Sequence, residues 1–200
     1  MNYLAHAYLS FHHPEIMVGN LISDFVKGKK KFDYPDNIQK GITLHRLIDR
    51  FTDDHPATHE AKKFFRADYR LYNAVFIDVV YDYFLANDAS LFTETELFNF
   101  SKEVYQVLDE HFDSLPARFA TIVPYMKSYN WFYNYRSRSG IKNSFAGIVR
   151  RAAFLSESDT AFLLFEKFNN ELGECYRKFF PEVTIYARQE FDKLIGTEAT

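Results

Sequence analysis

The sequence predicts an all-α, single-domain helical bundle. The 200 residues include only 7 Gly and 6 Pro, so few positions force a turn. Hydrophobic residues make up 47% of the chain, which is enough for one substantial core. Long stretches carry apolar residues at helical spacing, and such stretches with few chain breakers favour helices over a β-sandwich or barrel. We therefore expect one domain over residues 1–195 and a short C-terminal tail at 196–200.

The first half of the chain predicts helices that are separated by one basic loop. Pro14 and Pro56 are each expected at the start of a helix, because the first helical position needs no backbone N–H donor. Asn73 is a plausible break before the next helix. The expected elements are helices over residues 2–12, 14–26 and 35–52, a basic loop at 27–31, and a further helix from residue 56.

The second half begins with the most apolar helix of the chain, over residues 74–86, which should be buried because it is apolar on every side. Thr93 and Glu96 form a capping-box pattern, which predicts the start of a helix that extends to about Phe112. The remaining expected elements are a short helix bracketed by Pro116 and Pro124, and a long amphipathic helix over residues 156–180 that Pro181 should end or kink.

Composition excludes several classes of protein. Cys175 is the single cysteine, so no intrachain disulfide can form, which fits a reducing compartment. The net charge of -3 argues against general affinity for nucleic acid. No stretch of about 18 apolar residues predicts a membrane span, and the N-terminus lacks the basic and apolar regions of a signal peptide. We expect a cytoplasmic protein without a nucleic-acid or membrane partner.

Asp78 and Asp82 interrupt the apolar helix and lie four residues apart, so both carboxylates should share one face. Two buried like charges repel each other and are costly to desolvate, so they need a metal, an arginine or a shared proton. A structural ion pair with an arginine is an equally good explanation for these two residues alone.

Similar polar residues occur in other apolar segments. His6 lies among apolar neighbours, where a hydrogen-bonded core histidine is the commoner case, and Asp24 could simply cap a nearby helix end. His45 and Asp49 are four residues apart on one helix face, although Arg46 and Arg50 could pair with Asp49 there. Together, these segments place histidine and aspartate on several helices, which is how helical bundles build metal sites. The predicted metal ligands are His6, Asp24, His45, Asp78 and Asp82.

Three segments, read in order, resemble the acyl carrier protein phosphodiesterase family. They are NYLAH at residues 2–6 together with GNLISDFVKG at 19–28, GITLHRLIDRFTD at 41–53, and DVVYDYFL at 78–85. The resemblance covers roughly residues 1–190. It implies an all-helical fold related to the HD-type metal-dependent phosphohydrolases, a divalent metal that is most often manganese, and removal of 4′-phosphopantetheine from holo acyl carrier protein.

The residues themselves are compatible with this chemistry. Mixed imidazole and carboxylate ligands suit Mn, Fe or Zn, and oxygen-rich sets favour Mn or Mg. A metal neutralises an anionic diester and lowers the pKa of a bound water. Asp24 or Asp49 could act as the catalytic base toward that water instead of as a ligand, and the sequence leaves these roles open.

The implied substrate, acyl carrier protein, is acidic, so an acidic chain needs a local basic surface to dock it. Two groups of cations are candidates, although a run of charges is often only a solvated face. Arg46, next to His45, could contact a phosphate oxygen, but it lies off the face shared by His45 and Asp49, so a structural ion pair is the better explanation for it. The candidate substrate-binding residues are Lys27, Lys29, Lys30 and Lys31 in the first group, Arg136, Arg138, Lys142, Arg150 and Arg151 in the second, and Arg46.

Two other functions are compatible with the sequence. One is an HD-type phosphohydrolase that acts on a small nucleotide, which would use the same metal site without a docking surface. The other is a non-catalytic helical binding module, in which the buried aspartates pair with Arg46, Arg50 or Arg150. The second function predicts aspartate–arginine ion pairs in place of a metal site.

Overall fold

The computed structural model describes residues 1–196, so positions 197–200 of the expected C-terminal tail lie outside the described residues. Across 1–196 the regular structure is helical throughout, with no strand, which confirms the predicted all-α class. Short 3-10 helices span Ser23–Phe25, Gly28–Asp33, Arg70–Tyr72 and Phe112–Ser114. The α-helices are α1 (Tyr3–Tyr8), α2 (Pro14–Ile22), α3 (Asp36–Asp54), α4 (Pro56–Tyr69), α5 (Asn73–Ala86), α6 (Glu94–Glu110), α7 (Ala117–Ala120), α8 (Val123–Ser128), α9 (Trp131–Asn134), α10 (Arg138–Arg151), α11 (Asp159–Lys167) and α12 (Asn169–Ile195).

The closest helix pairing joins α2 to α3, and it depends on two glycines. A Cβ atom on Gly19 would overlap the carbonyl oxygen of Ile38, and one on Gly41 would overlap the carbonyl oxygen of Ile16. The two backbones therefore approach to a distance that only glycine allows. This pair makes more contacts than any other pair of helices in the described chain. It fixes the position of α2 relative to α3, which carries His45.

Helix α5 lies in the interior, as its apolar sequence predicts. It packs against α4, α10, α1 and α12. Phe76 is fully buried and stacks on Phe65 of α4, with ring centroids 5.8 Å apart, and it meets Phe145 of α10 edge-on at 5.1 Å. These aromatic contacts hold α5 between its neighbours and place its acidic residues next to α1.

The expected helices of the first half form, with two corrections. Helix α1 ends at Tyr8 and not near His12, because Phe11 and His12 adopt positive φ values of 51° and 60° that a helix cannot contain. The basic stretch at 27–31 is not an open loop, since Gly28–Asp33 forms a 3-10 helix. Asn73 begins α5 after the break at Arg70, where φ is 44°.

In the second half, the capping box at Thr93 and Glu96 opens α6 as predicted. Pro124, expected at the end of a short helix, instead lies in the first turn of α8, a position where its missing N–H costs nothing. Helix α10 has no counterpart among the expected elements. Ser137 caps it by accepting from the backbone N–H of Gly140, and Phe145 on one face is fully buried.

The long amphipathic stretch divides at Phe168 into α11 and α12, and Pro181 does not end α12. An interior proline costs roughly 3 kcal/mol, because it removes one helical hydrogen bond and crowds the preceding turn. Phe179 and Phe180 before it, and Val183 after it, are buried against the rest of the bundle. The burial of several large side chains outweighs that cost, so the helix continues.

Among residues 1–196, we find no helical segment that combines the length and the hydrophobicity required to cross a bilayer.

Replacement of Gly41 by Ala should lower the free energy of unfolding by about 3 kcal/mol, because the added methyl group collides with the backbone of α2. Gly147 in α10 provides a matched control. A Cβ there meets only arginine side chains at 3.5 and 3.6 Å, so Gly147→Ala should raise stability by up to about 1 kcal/mol. Urea denaturation of both variants measures the difference. Equal effects would show that the α2–α3 contact tolerates a side chain.

Candidate metal centre

Two imidazoles and one carboxylate converge between α1 and α3. His6 of α1 and His45 of α3 stack with ring centroids 3.9 Å apart. Asp49, one turn after His45, directs Oδ1 to His6 Nε2 at 3.1 Å and Oδ2 to His45 Nε2 at 3.0 Å. One ligand atom from each residue lies within 4.8 Å of the others, a separation that can be bridged by a single ion. We call His6, His45 and Asp49 the triad.

The protonated ring nitrogens of both histidines face away from the triad. His45 Nδ1 lies 2.7 Å from the backbone oxygen of Asn20, and His6 Nδ1 lies 2.7 Å from the side-chain Oδ1 of the same residue. A carbonyl oxygen can only accept, so each Nδ1 must carry the proton. In the neutral rings, both Nε2 atoms then present lone pairs toward Asp49. Metal-binding histidines have this arrangement in general, with one nitrogen donating to an oxygen and the other free for the ion.

In the neutral rings, the two Nε2 atoms and the two oxygens of Asp49 are all hydrogen-bond acceptors that face one another. The triad therefore needs a cation between them. His45 Nε2 is buried and makes no well-directed hydrogen bond, despite its short distances to carboxylates. Burial lowers the pKa of His45, but Asp24 and Asp49 outweigh that effect and raise it to about 9. Burial and the neighbouring His45 lower the pKa of His6 to about 4. A proton on His45 satisfies the site in part, and a divalent ion fits the same donor set.

Asp24 stands at the exposed edge of the triad. It belongs to the 3-10 turn after α2, and its Oδ1 lies 3.3 Å from His45 Nε2. Its side chain is 76% exposed, against 38% for Asp49 and 7% for His45. Contact with His45 lowers the pKa of Asp24, so this carboxylate is ionised at neutral pH. It can therefore contact both solvent and anything bound at the triad.

Asp78 lies beside the triad, with a different partner. Its Oδ1 is 3.1 Å from the Met1 amine, which is also 3.4 Å from Asp49 Oδ1. Burial raises the pKa of Asp78 against the opposing charge of this amine. The Met1 amine thus links Asp78 to Asp49, but the structure does not place an Asp78 oxygen in the triad.

Asp82 caps a helix. The backbone amides of Leu4 and Ala5, in the first turn of α1, donate to Asp82 Oδ2 and Oδ1 at 2.8 and 3.1 Å. The carboxylate is fully buried, and burial raises its pKa to about 7 against these two hydrogen bonds. Both oxygens are directed at amides, so the structure does not bring Asp82 into the triad. It holds the start of α1, two residues before His6.

The arginines do not neutralise these aspartates. Within residues 1–196, none of Asp24, Asp49, Asp78 and Asp82 forms an ion pair with an arginine. Arg46 is exposed and donates to the backbone oxygen of Val26 at 2.9 Å. The aspartate–arginine ion pairs that a non-catalytic binding module predicts are thus missing from the part of the chain that the structure describes.

The first basic group begins directly behind Asp24. We call residues 27–31 the basic segment. Lys27, Lys29 and Lys30 are exposed, and Lys31 rests over the Phe32 ring at 5.1 Å. Over residues 1–196, none of these four lysines pairs with a carboxylate. Arg46, the residue after His45, donates to the backbone oxygen of Val26, which precedes Lys27. This hydrogen bond anchors the start of the basic segment next to α3.

Most of the second basic group is engaged in ion pairs. Arg136 pairs with Glu94 at 2.8 Å, Lys142 pairs with Asp159 at 3.1 Å, and Arg138 pairs with Glu166. Arg150 and Arg151, at the end of α10, are exposed and have no such partner among the described residues. These two are the members of the group that remain available to an acidic surface.

Two features near the site were not anticipated. Asn20 carries no charge and so does not stand out in the sequence, although a buried amide in an apolar helix is itself a signal for a hydrogen-bonded network. Arg118 acts on Tyr3 of α1: burial raises the pKa of Tyr3 to about 12, and the charges of Arg151 and Arg118 oppose the rise. No sequence pattern indicated that the charge of Arg118 bears on Tyr3.

A cleft of about 710 Å³ lies elsewhere, between α3, α4 and α12. Phe51, His55, Cys175 and Tyr186 are among its lining residues, whereas no member of the triad is.

The whole chain resembles one family of proteins. Residues 1–183 match the family described as acyl carrier protein phosphodiesterase. The acyl carrier protein phosphodiesterase of Yersinia pestis is 31% identical over 191 residues, which cover 95% of this chain and 99% of that protein. Those of Yersinia enterocolitica and of an Enterobacter species are 30% and 29% identical over the same shares. No solved structure matches the chain at a significant level.

Replacement of Asp82 by Asn should destabilise the protein by about 1–3 kcal/mol, because the amide side chain keeps only one acceptor for the two N–H donors of α1. Bound metal should be retained, since no Asp82 oxygen faces the triad. Thermal denaturation and elemental analysis of the same preparation test both statements. Unchanged stability together with loss of metal would instead identify Asp82 as a ligand.

Proposed function

The chain belongs to the acyl carrier protein phosphodiesterase family, and we propose that it uses a divalent metal to hydrolyse the diester that joins 4′-phosphopantetheine to holo acyl carrier protein. The observation that carries the metal-dependent part is the convergence of two imidazoles and one carboxylate on a single point. The products are the apo protein and free 4′-phosphopantetheine. The proposal includes a cytoplasmic location and a distant relationship of this bundle to the HD-type phosphohydrolases.

We assign His6, His45 and Asp49 as the protein ligands of the metal. Two neutral imidazoles and one carboxylate suit Mn²⁺, with Mg²⁺ or Fe²⁺ as alternatives. When bound there, such an ion supplies positive charge for the anionic diester and acidifies a coordinated water. The protein keeps the ligand atoms in place: Asn20 holds both rings, and the Asp82 cap fixes the start of α1.

Asp24 is assigned as the base, a role that the sequence left open between Asp24 and Asp49. It lies beside the triad and is the most exposed of the nearby carboxylates, so water and substrate can both reach it. In the reaction, the water oxygen forms a bond to phosphorus while the bond from phosphorus to the carrier-protein oxygen breaks. Asp24 accepts a proton from the water and later returns it to solvent, and the released carrier-protein oxygen takes up a proton from solvent.

We further propose that the basic segment docks the acidic carrier protein. Lys27, Lys29 and Lys30 are exposed, and no lysine of the segment is paired among the described residues. Arg46, the residue after His45, binds the backbone of Val26 and so anchors the start of the segment. A protein of net charge -3 gains little long-range attraction to an acidic partner without such a local patch. Arg150 and Arg151, which are exposed at the end of α10, could extend the positive surface.

Asp49 and Asp24 should respond differently to loss of charge. Asp49→Asn removes the carboxylate between the two imidazoles, so the variant should lose bound Mn²⁺ on dialysis and lose turnover with it. Asp24→Asn should retain Mn²⁺, but turnover should fall about 10²- to 10⁴-fold, the usual contribution of a general base. The measurements are elemental analysis and the intact mass of holo acyl carrier protein before and after incubation.

Retention of Mn²⁺ by Asp49→Asn would overturn the ligand assignment. Equal loss of metal from both variants would make Asp24 a ligand and not the base. An unchanged mass of the carrier protein after incubation with the metal-loaded wild-type protein would refute the proposed reaction itself.

Replacement of Lys29, Lys30 and Lys31 by Ser should lower kcat/KM on holo acyl carrier protein several-fold at low salt while kcat changes little, because the segment guides encounter and not chemistry. The difference from wild type should shrink as salt rises, since exposed charges are screened beyond about 8 Å at physiological ionic strength. Hydrolysis of a small phosphodiester should not change. Stopped assays across a salt series measure all three quantities.

A control with the same loss of charge is Lys102→Ser, Lys167→Ser and Lys178→Ser together, on α6, α11 and α12. This control should behave as wild type if position, and not net charge, determines docking. Equal losses in the two triple variants would remove the basis for a docking role of the segment.

A further inference from the structure

We propose that Asn20 is a positioning residue that sets the tautomer of both histidines of the triad and so prepares the site for its metal. This inference rests on the proposed metal-dependent function. Asn20 lies on α2, between the helices that carry the two histidines, and it is fully buried. It contacts His6 through its side chain and His45 through its backbone.

In the contact between the Asn20 side chain and the His6 ring, only the ring can be the donor. Asn20 Nδ2 donates to the backbone oxygen of His6 at 2.9 Å and to Ser10 Oγ at 3.1 Å. Ser10 Oγ uses its own hydrogen toward the His6 oxygen at 2.8 Å, so it is free to accept from Asn20. With the amide nitrogen committed to two acceptors, Oδ1 must face the imidazole. His6 Nδ1 is therefore the donor in the 2.7 Å contact, and its Nε2 is left without a proton.

Without this contact, His6 would favour the opposite tautomer. Its Nε2 lies 3.1 Å from Asp49 Oδ1, an acceptor that attracts a ring proton to that side. A proton on Nε2 would remove the lone pair that a metal needs. Asn20 Oδ1 competes for the same proton from the other side of the ring, at the shorter distance of 2.7 Å. The amide thus decides which nitrogen of His6 faces the site.

The backbone contact to His45 follows from the end of α2. Asn20 is among the last four residues of that helix, whose carbonyl groups an α-helix leaves without regular partners. The glycine contact at Gly19 and Gly41 brings this carbonyl close to α3, where it accepts from His45 Nδ1 at 2.7 Å. One residue therefore aligns two ligands from different helices, and no mutation of its side chain can remove the second contact.

The test compares Asn20→Leu with Asn20→Asp. Leucine has nearly the same shape and no acceptor, whereas aspartate keeps an acceptor for His6 Nδ1. Ser10→Ala is the matched control, because it removes a different buried hydrogen bond of Asn20 and spares the His6 ring. The first readout is the ¹⁵N shift pattern of the His6 ring in metal-free protein at pH 7. The second is Mn²⁺ affinity, measured by the electron paramagnetic resonance signal of free Mn²⁺.

In wild type and Ser10→Ala, His6 should show a protonated Nδ1 and a bare Nε2, and Mn²⁺ affinities should agree within several-fold. In Asn20→Asp, one oxygen should still hold the proton on Nδ1, while the other meets the acceptors that Nδ2 satisfied and so lowers stability. Asn20→Leu should move the proton toward Nε2 and weaken Mn²⁺ binding about 10- to 100-fold, the usual effect of losing such a partner. An unchanged ring pattern and affinity in Asn20→Leu would overturn the inference. If Asn20→Leu does not fold, a His6 ring without a proton on Nδ1 in folded Asn20→Asp would overturn the inference equally.

The two proposals fail in different ways. If wild-type protein binds no Mn²⁺, the metal-dependent function fails, while the His6 ring pattern still reports whether Asn20 sets the tautomer. If wild type binds Mn²⁺ and the Asn20 variants bind it equally well, the metal site stands and the positioning role is wrong.

Discussion

The backbone contact between α2 and α3 is the constraint on which the rest of the site depends. Gly19 and Gly41 allow an approach that any side chain would block. As a result, the carbonyl of Asn20 reaches His45, and the turn after α2 carries Asp24 to within 3.3 Å of the same ring. Neither contact needs a long or flexible side chain. The geometry of the site is thus set by two rigid helices, and rigid elements hold ligands more accurately than loops do.

A second constraint acts through α5. Asp82 sits in an interior helix and binds the amides at the start of α1, where the helix dipole favours a negative charge. His6 follows two residues later, so its position relative to α3 depends on a buried carboxylate that is not itself directed at the triad. The helices that carry the two histidines are therefore held by different contacts, while Asn20 joins the two rings to each other. The 3.9 Å stacking of their rings is the result of two separate helix contacts, with α2 and α5.

The sequence was most informative about which residues are buried and least informative about what they touch. Polar side chains in apolar helices pointed to His6 and His45, and both lie in the triad. The same reasoning selected Asp82, whose partners in the structure are backbone amides. A buried carboxylate can be satisfied by a metal, an amine or a helix N-terminus, and a pattern of burial does not distinguish among them. Asn20 was overlooked because an amide carries no charge that demands a partner, although its burial does.

The same limit explains the differences in secondary structure. Local signals located α6 and α5, where a capping box and a run of apolar residues agree with the final packing. They failed at Pro181, because the cost of an interior proline is local while the burial that offsets it comes from other helices. They also did not predict α10. The basic residues of this segment suggest a charged surface, whereas the spacing of its buried apolar residues is what indicates a helix. Local sequence signals therefore predict a helix correctly where the tertiary contacts favour the same structure.

The charges around the triad bear on the choice of substrate. Asp24, Asp49 and Asp78 lie close together, and the structure offers them imidazoles and one amine but no arginine among the described residues. Without a metal, the Met1 amine and a proton on His45 are already paired with these carboxylates, so the centre has no positive charge left to attract an anionic diester. A bound divalent ion supplies such charge only locally, because its field is strongly screened over a protein-sized distance. The ion can thus account for binding the diester, but attraction of a whole acidic carrier protein requires cations on the surface around it. The exposed lysines that begin three residues after Asp24 are in that position, so the proposed function would place the base and the docking surface in one short stretch of chain.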